Sequence, residues 1–258
     1  MKMDPEESTI NEVLSSVESF DDRVIAIAAL GDTLRRGIYR YVVRQGAPVS
    51  RLEAASHMDI AHHVAKFHLD RLVQDGLLEV VYARPKGRGG PGAGRPTKYY
   101  QRSTHEISVS LPDRRYDLVG HIFARAITGM ISDGGTEIKD ALRISAISLG
   151  HAMGLEIGRA DQSNQCDTSS IDPIISVLSK WGFEPRQGAD AVVLTNCPFC
   201  ALASAYPEII CEMNLDLIKG FVSSLGKALW IPILSPSENQ CCVVLSRSSE
   251  FTLDQISS

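Results

Sequence analysis

The residues of this 258-residue chain best suited to chemistry are its six cysteines: Cys166, Cys197, Cys200, Cys211, Cys241 and Cys242. Five of them form the pattern Cys197-x2-Cys200-x10-Cys211-x29-Cys241-Cys242. Thiolates are ligands for zinc, cuprous ions and iron–sulfur clusters. Asn196-Cys197-Pro198 predicts a helix start, with Pro198 as first helical residue. Free amides and the helix dipole there favour a thiolate. Cys211 opens the next predicted helix, and Cys241 and Cys242 begin the last predicted strand. The competing reading is plain packing, since free cysteine is among the most buried residue types. One Cys-x2-Cys is weak evidence, and the irregular spacing is less typical of structural zinc than paired knuckles. The residue types alone leave ligation and packing both open.

Catalytic constellations are not evident. His62, His63 and His68 lie together in one segment, and the seven histidines show neither paired carboxylates nor metal-ligand spacing. A nucleophilic Cys197 would need a base, and no neighbour in sequence supplies one. The expectation is a protein that is not an enzyme.

The elements that would carry the cysteines read as α+β. A helix from about Asp113, with Asp113 as its cap, to Ser132 shows apolar pairs Leu118/Val119, Ile122/Phe123, Ala126/Ile127 and Met130/Ile131 in steps of four. Such a stripe either covers its own core or pairs with a second copy, with Leu118, Ile122, Ile127 and Met130 as the contact. A further helix is predicted over Thr136–Ile157, then a polar loop over Gly158–Ser170 holding Cys166, then a helix with Asp172 as cap and Pro173 first. Phe183–Arg186 and Ala191–Thr195 read as a hairpin around Gly188. Cys197–Ser204 and Glu208–Gly226 read as helices, and Ala228–Leu234 and Cys241–Ser246 as strands.

Upstream, Val49–Leu78 reads as two short helices with a turn at Met58-Asp59-Ile60 and a glycine stop at Gly76. The first turns Leu52 and Ala55 inward. The second has an inward face of Ala61, Ala65, Leu69 and Leu72 and an outer face of His62, His63, Lys66 and Arg71. Apolar residues inside and donors outside suit a helix that reads the major groove. Leu77–Arg84 is strand-like, Pro85–Pro96 is rich in Gly and Pro, and Thr97–Gln101 returns as a strand. Two strands with a basic tip form a wing, and Arg84, Lys86, Arg88, Arg95 and Lys98 would lie along phosphates there. Arg23–Leu30 and Asp32–Gln45 are helices behind this unit.

Charge agrees with that division. Gly31–His105 holds 13 Lys and Arg against 6 Asp and Glu, whereas the rest of the chain holds 13 against 25. One basic segment on an acidic chain is the footprint of a polyanion partner. No run of eighteen apolar residues is present, and MKMDPEESTI lacks the apolar stretch of a secretory signal. The expectation is a cytoplasmic protein without membrane association.

Taken together, LGDTLRRGIYRYV, FHLDRLVQDGLL, GPGAGRPTKYYQRS followed by SVSLPDRRYDLVG, and NCPFCALA with YPEIICEMNL resemble actinobacterial winged helix-turn-helix regulators of the ArsR- or DeoR-like kind. Among these the chain is similar to the SufR family of iron–sulfur repressors. The resemblance covers Gly31 to about Ser246 and implies a homodimer on double-stranded DNA with an inverted-repeat operator. It also implies an iron–sulfur cluster, of the 4Fe–4S type, on Cys197, Cys211 and Cys241, with Cys200 or Cys242 as fourth ligand. After Cys211 the sequence CEMNLDLIKG departs from the SufR pattern, so a winged-helix sensor of a small molecule is the alternative. Its apolar pocket would lie near Trp181 or Trp230, and its cysteines would only pack. The expected fold is α+β: a disordered arm over residues 1–20, a winged helix-turn-helix domain over 21–105, and over 106–258 a long connecting and dimerisation helix with an α+β sensor domain containing a small sheet.

Overall fold

Short polar side chains start the helices of the first unit. Ser19 accepts from the Asp22 amide to open α1 (Phe20–Ala29), and Asp32 accepts from the Arg35 amide to open α2 (Thr33–Gln45). Gly46, at φ 62°, ends α2 in the left-handed region that glycine tolerates. A two-residue strand β1 (Val49–Ser50) leads into α3 (Arg51–Met58), where Ser50 and Glu53 exchange hydrogen bonds in a capping box. Asp59 turns the chain at φ 51° into α4 (His62–Gln74), and Gly76 at φ 74° closes that helix. Strands β2 (Leu78–Ala83) and β3 (Thr97–Arg102) pair antiparallel from Leu78 opposite Arg102 to Ala83 opposite Thr97. β1 adds to the free edge of β3, giving the order β1-β3-β2.

The computed structural model describes residues 19–83, 96–133, 135–160, 171–225, 230–237 and 240–247. The expected arm at residues 1–20 lies outside them up to residue 18, as do Arg84, Lys86, Arg88, Arg95 and Cys166. The chain divides into one unit spanning Glu18–Val109 and a second from Ser110 onward. No helix of the described residues is long and apolar enough to cross a membrane.

The first unit's core is Ile38, Val42, Val49, Ala54, Leu69, Leu72, Leu78 and Tyr100. Two residues assigned inward from the sequence lie outside it. Leu52 is 52% exposed, because α3 packs through the small Ala54 and Ala55 instead. Ala61 is exposed as the residue that caps α4, and the buried position on that helix's inner face falls to His68.

The second unit contains α5 (Tyr116–Asp133), α6 (Ile138–Ala160), α7 (Asp172–Lys180), β4 (Pro185–Gln187), β5 (Ala191–Leu194), α8 (Cys200–Ala205), α9 (Pro207–Ser224), β6 (Trp230–Leu234) and β7 (Val243–Arg247). The strands form one antiparallel sheet in the order β4-β5-β7-β6. The fold is thus α+β, with a helix-turn-helix unit first and two small antiparallel sheets. On α5, Leu118 and Ile122 are fully buried in this unit's own core and Met130 packs against it. The inner half of the apolar stripe is therefore spent inside the unit, and Ile127 and Ile131 remain outside. Asp113 does not cap α5, which begins at Tyr116. Ile171 precedes α7, which places Asp172 and Pro173 within its first turn.

The helices α6 and α9 touch backbone to backbone. A methyl group added to Gly150 would stand 1.9 Å from the Leu217 carbonyl oxygen, and one on Gly220 would stand 2.1 Å from that of Ile147. Glycine at both crossing points permits this approach. Leu149, Met153, Leu217 and Phe221 fill the space around the crossing.

Candidate nucleic-acid interface and thiol site

On α4 the outward residues are His62, His63, Lys66 and Phe67, all exposed, with Asp70 next at the partly buried rim. Three predicted contacts are held by acids of the same unit. Lys66 stands 3.5 Å from Asp70. Lys98, on β3, donates to the other oxygen of Asp70, as does the Tyr100 hydroxyl at 2.8 Å. Arg71 pairs with Asp75 at 2.8 Å, and that carboxylate is nearly buried. Arg71 thus braces the end of α4, while Lys66 and Lys98 remain partly exposed.

Asp70 ties the recognition helix to the wing strand. Burial pushes its carboxyl upward, and the bonds from Lys98 and Tyr100 with the Lys98 and Lys66 charges outweigh this, leaving it below the usual carboxylate range. Burial likewise opposes the charge on Lys98, and Asp70 reverses the balance and raises it. The brace therefore joins ionised groups at neutral pH. Between α3, α4 and the wing strands lies a concavity of about 560 Å³ lined by Arg51, Leu52, Lys66, Tyr82, Thr97 and Lys98, among others. It holds three cations, of which Lys66 and Lys98 already face Asp70, beside the exposed Leu52 and Tyr82.

In the second unit the thiols fall in a hydrogen-bonded row: Cys197, Cys241, Cys242, Cys211. Cys197 comes from the loop after β5, Cys211 from α9, and Cys241 and Cys242 from the turn before β7. Cys200 is exposed on α8 and is not among the four interacting thiols. Nor is Cys197 at a helix start. Pro198 and Phe199 form a turn closed by the Cys200 amide on the Cys197 carbonyl, and α8 begins at Cys200.

Neighbouring thiols set the protonation pattern. A hydrogen bond from Cys241 lowers Cys197 against the effect of burial, with help from the Phe199 amide. Cys241, bonded to both Cys197 and Cys242 and deeply buried, is pushed up. Cys242 falls to about 6 because Cys241 donates to it, and burial only partly offsets this. Burial pushes Cys211 to about 12, with a further rise from its bond to Cys242. Along the row the thiol pKa is lowered at Cys197, raised at Cys241, lowered at Cys242 and raised at Cys211. Asn214, fully buried on α9, donates to Cys241 Sγ at 3.1 Å, and its Oδ1 makes no hydrogen bond within the protein. Among the described residues, no group of three or more His, Cys, Asp or Glu is arranged to hold a metal ion.

The row is anchored to the segment that enters α5. Arg114 Nη1 donates to the Cys197 carbonyl at 3.1 Å and to Asn196 Oδ1, while Asn196 Nδ2 donates to the carbonyls of Gly182 and Asp113. Trp181 and Trp230, near which an effector pocket was expected, are both buried, and Arg115 lies 4.6 Å over the Trp181 ring.

Asp70, Asn214 and Phe67 were not singled out from the sequence. Phe67 had a signal: it is the apolar residue on the polar arc of α4, off the 65/69/72 register. An acid beside the basic Lys66, and an asparagine within an apolar helix face, were weaker ones. Compared with known proteins, the chain matches no curated protein and no solved structure. Residues 30–81 match the family model of a helix-turn-helix domain. That match, with the β2–β3 hairpin that follows, supports a winged helix-turn-helix, DNA-binding transcriptional regulator.

Proposed function

We propose that the protein is a cytoplasmic, homodimeric repressor that binds an inverted-repeat operator, and that it does no enzymatic chemistry. The observation that carries this reading is the outer face of α4, with His62, His63 and Lys66 exposed beside a cationic concavity that the wing strands complete. Base edges would meet the early turns of α4, and phosphates would meet Arg51, Lys98 and the basic residues Arg84, Lys86, Arg88 and Arg95. Dimerisation would use the outward residues of α5 and α6, chiefly Ile127, Ile131 and Ile144, which are at least half exposed. The test is selection by the full-length protein from a pool of randomised duplexes. Enrichment of an inverted repeat with half-sites about one helical turn apart is the expected outcome. An unchanged pool overturns the reading.

The proposal extends to an iron–sulfur cluster on Cys197, Cys211, Cys241 and Cys242. Four thiols from three separate elements form a soft donor set, whose raised members Cys211 and Cys241 would have to lose their protons on binding. The unbonded Asn214 Oδ1 adds a polar atom beside the thiols. When bound, such a group supplies an oxidation-sensitive crosslink. Arg114 would then carry any movement of the Cys197 loop to the start of α5 through its bonds to Cys197 and Asn196. Coupling of about 1–3 kcal/mol would change operator affinity by roughly 5–150-fold. Anaerobic purification with iron and sulfide counted across a Cys→Ser series tests this. Iron lost in Cys197→Ser and Cys242→Ser but retained in Cys200→Ser and Cys166→Ser is expected. A parent protein free of iron overturns it.

A further inference from the structure

Phe67 is the most exposed large apolar side chain described in the first unit, at 64%. Folding does not account for it. The inner face of α4 is complete with Ala65, His68, Leu69 and Leu72. Phe67 meets only the edge of the His68 ring among aromatic neighbours, at 5.3 Å and 76°, which steadies one side of the phenyl group and leaves the rest in water. Its neighbours on the arc are His62, His63 and Lys66, and the nearby Asp70 is already matched by Lys66, Lys98 and Tyr100. An apolar knob thus stands in the middle of a surface suited to a polyanion.

The major groove of DNA offers one apolar feature to such a knob, the 5-methyl group of thymine. A protein or membrane partner would want a wider apolar patch without cations at its centre. We infer that Phe67 reads a thymine methyl group in each half-site and so contributes to sequence choice, while His62, His63 and Lys66 meet polar base edges and phosphates. This rests on the regulator reading above and names a further residue that determines its specificity.

The test uses the full-length protein and the duplex recovered by selection. Each thymine is replaced singly by deoxyuridine, which removes the methyl group and leaves every hydrogen-bonding atom of the base. The parent protein should lose about four-fold or more in affinity at one thymine per half-site, the factor expected for one buried methyl group. Phe67→Ala, checked for folding by circular dichroism, should bind more weakly and be indifferent to that replacement. Phe67→Leu should keep part of the discrimination, and Lys66→Ala should keep all of it. A parent protein insensitive to deoxyuridine at every position overturns the inference, as does a Phe67→Ala protein with the parent's thymine-to-uracil ratio. Either result would leave the regulator reading intact. A pool from which no duplex is enriched instead fails the regulator reading and this inference together.

Discussion

Replacing Gly150 with alanine should destabilise the second unit, whereas the same change at Gly120 should stabilise it. The methyl group at Gly150 would lie 1.9 Å from the Leu217 carbonyl oxygen, where ordinary contact begins at 3.4 Å, so α6 and α9 must part by about 1.5 Å. Separation on that scale forfeits much of the dispersion energy of Leu149, Met153, Leu217 and Phe221. Overpacking costs about 1–3 kcal/mol where side chains can yield, and here the obstacle is helix backbone, so the upper end applies. Alanine's better helix propensity returns about 1 kcal/mol, leaving a net loss of about 2 kcal/mol. At Gly120 on α5 no atom lies within 4 Å of the added methyl group, so only the propensity gain of up to about 1 kcal/mol remains. Both tryptophans, Trp181 and Trp230, belong to the second unit, so their fluorescence in urea follows this unit alone. For an m-value of about 2 kcal/mol/M, the midpoint should fall by about 1 M in Gly150→Ala and rise slightly in Gly120→Ala. Equal shifts of the same sign would refute the close crossing.

Four further outcomes follow. Asp70→Asn should release Lys66 and Lys98, strengthening binding to random duplex and lowering the preference for the selected one; an unchanged ratio would remove Asp70 from the interface. The stabilisation from Asp70 is present above the unfolded carboxylate pKa of about 3.9 and is lost as pH falls through the lower folded value, so parent and Asp70→Asn should converge in stability as the pH is lowered past that value. In the metal-free, reduced protein, alkylation of Cys242 by iodoacetamide should be half-maximal near pH 6, since the thiolate dominates above its pKa of about 6, while Cys211 at about 12 stays unreactive at pH 9; peptide mass spectrometry separates the two. The double variant Arg88→Ala/Arg95→Ala should reduce the salt slope of DNA binding by nearly two, about 0.9 for each phosphate that is no longer neutralised.

The helix-turn-helix was legible because local signals agreed: the apolar spacing at 65, 69 and 72, the donors on the opposite face, and glycine at 76. The wing strands were legible from β-branched and aromatic residues on either side of a Gly/Pro stretch. What the sequence concealed was set by tertiary contacts. Leu52 faces outward because Ala54 and Ala55 allow α3 a closer approach than leucine would. β1 is two residues long, too short to carry a pattern. Cys197 lies before a turn because its loop is held by Arg114 from more than eighty residues away. Pairing of Cys242 rather than Cys200 with the other thiols depends on the β7 register, which spacing does not encode. The same holds for the acids: that Asp70 would engage Lys98 and Tyr100 depends on β3 lying beside α4.

The most direct measurement is a comparison of dissociation constants for the selected duplex and a scrambled duplex of equal length and composition, over a salt series. The account predicts that both weaken as salt rises, and that the selected duplex binds at least about 10³-fold more tightly at physiological salt. Equal affinity for the two duplexes, or no binding to either at low salt, would contradict it.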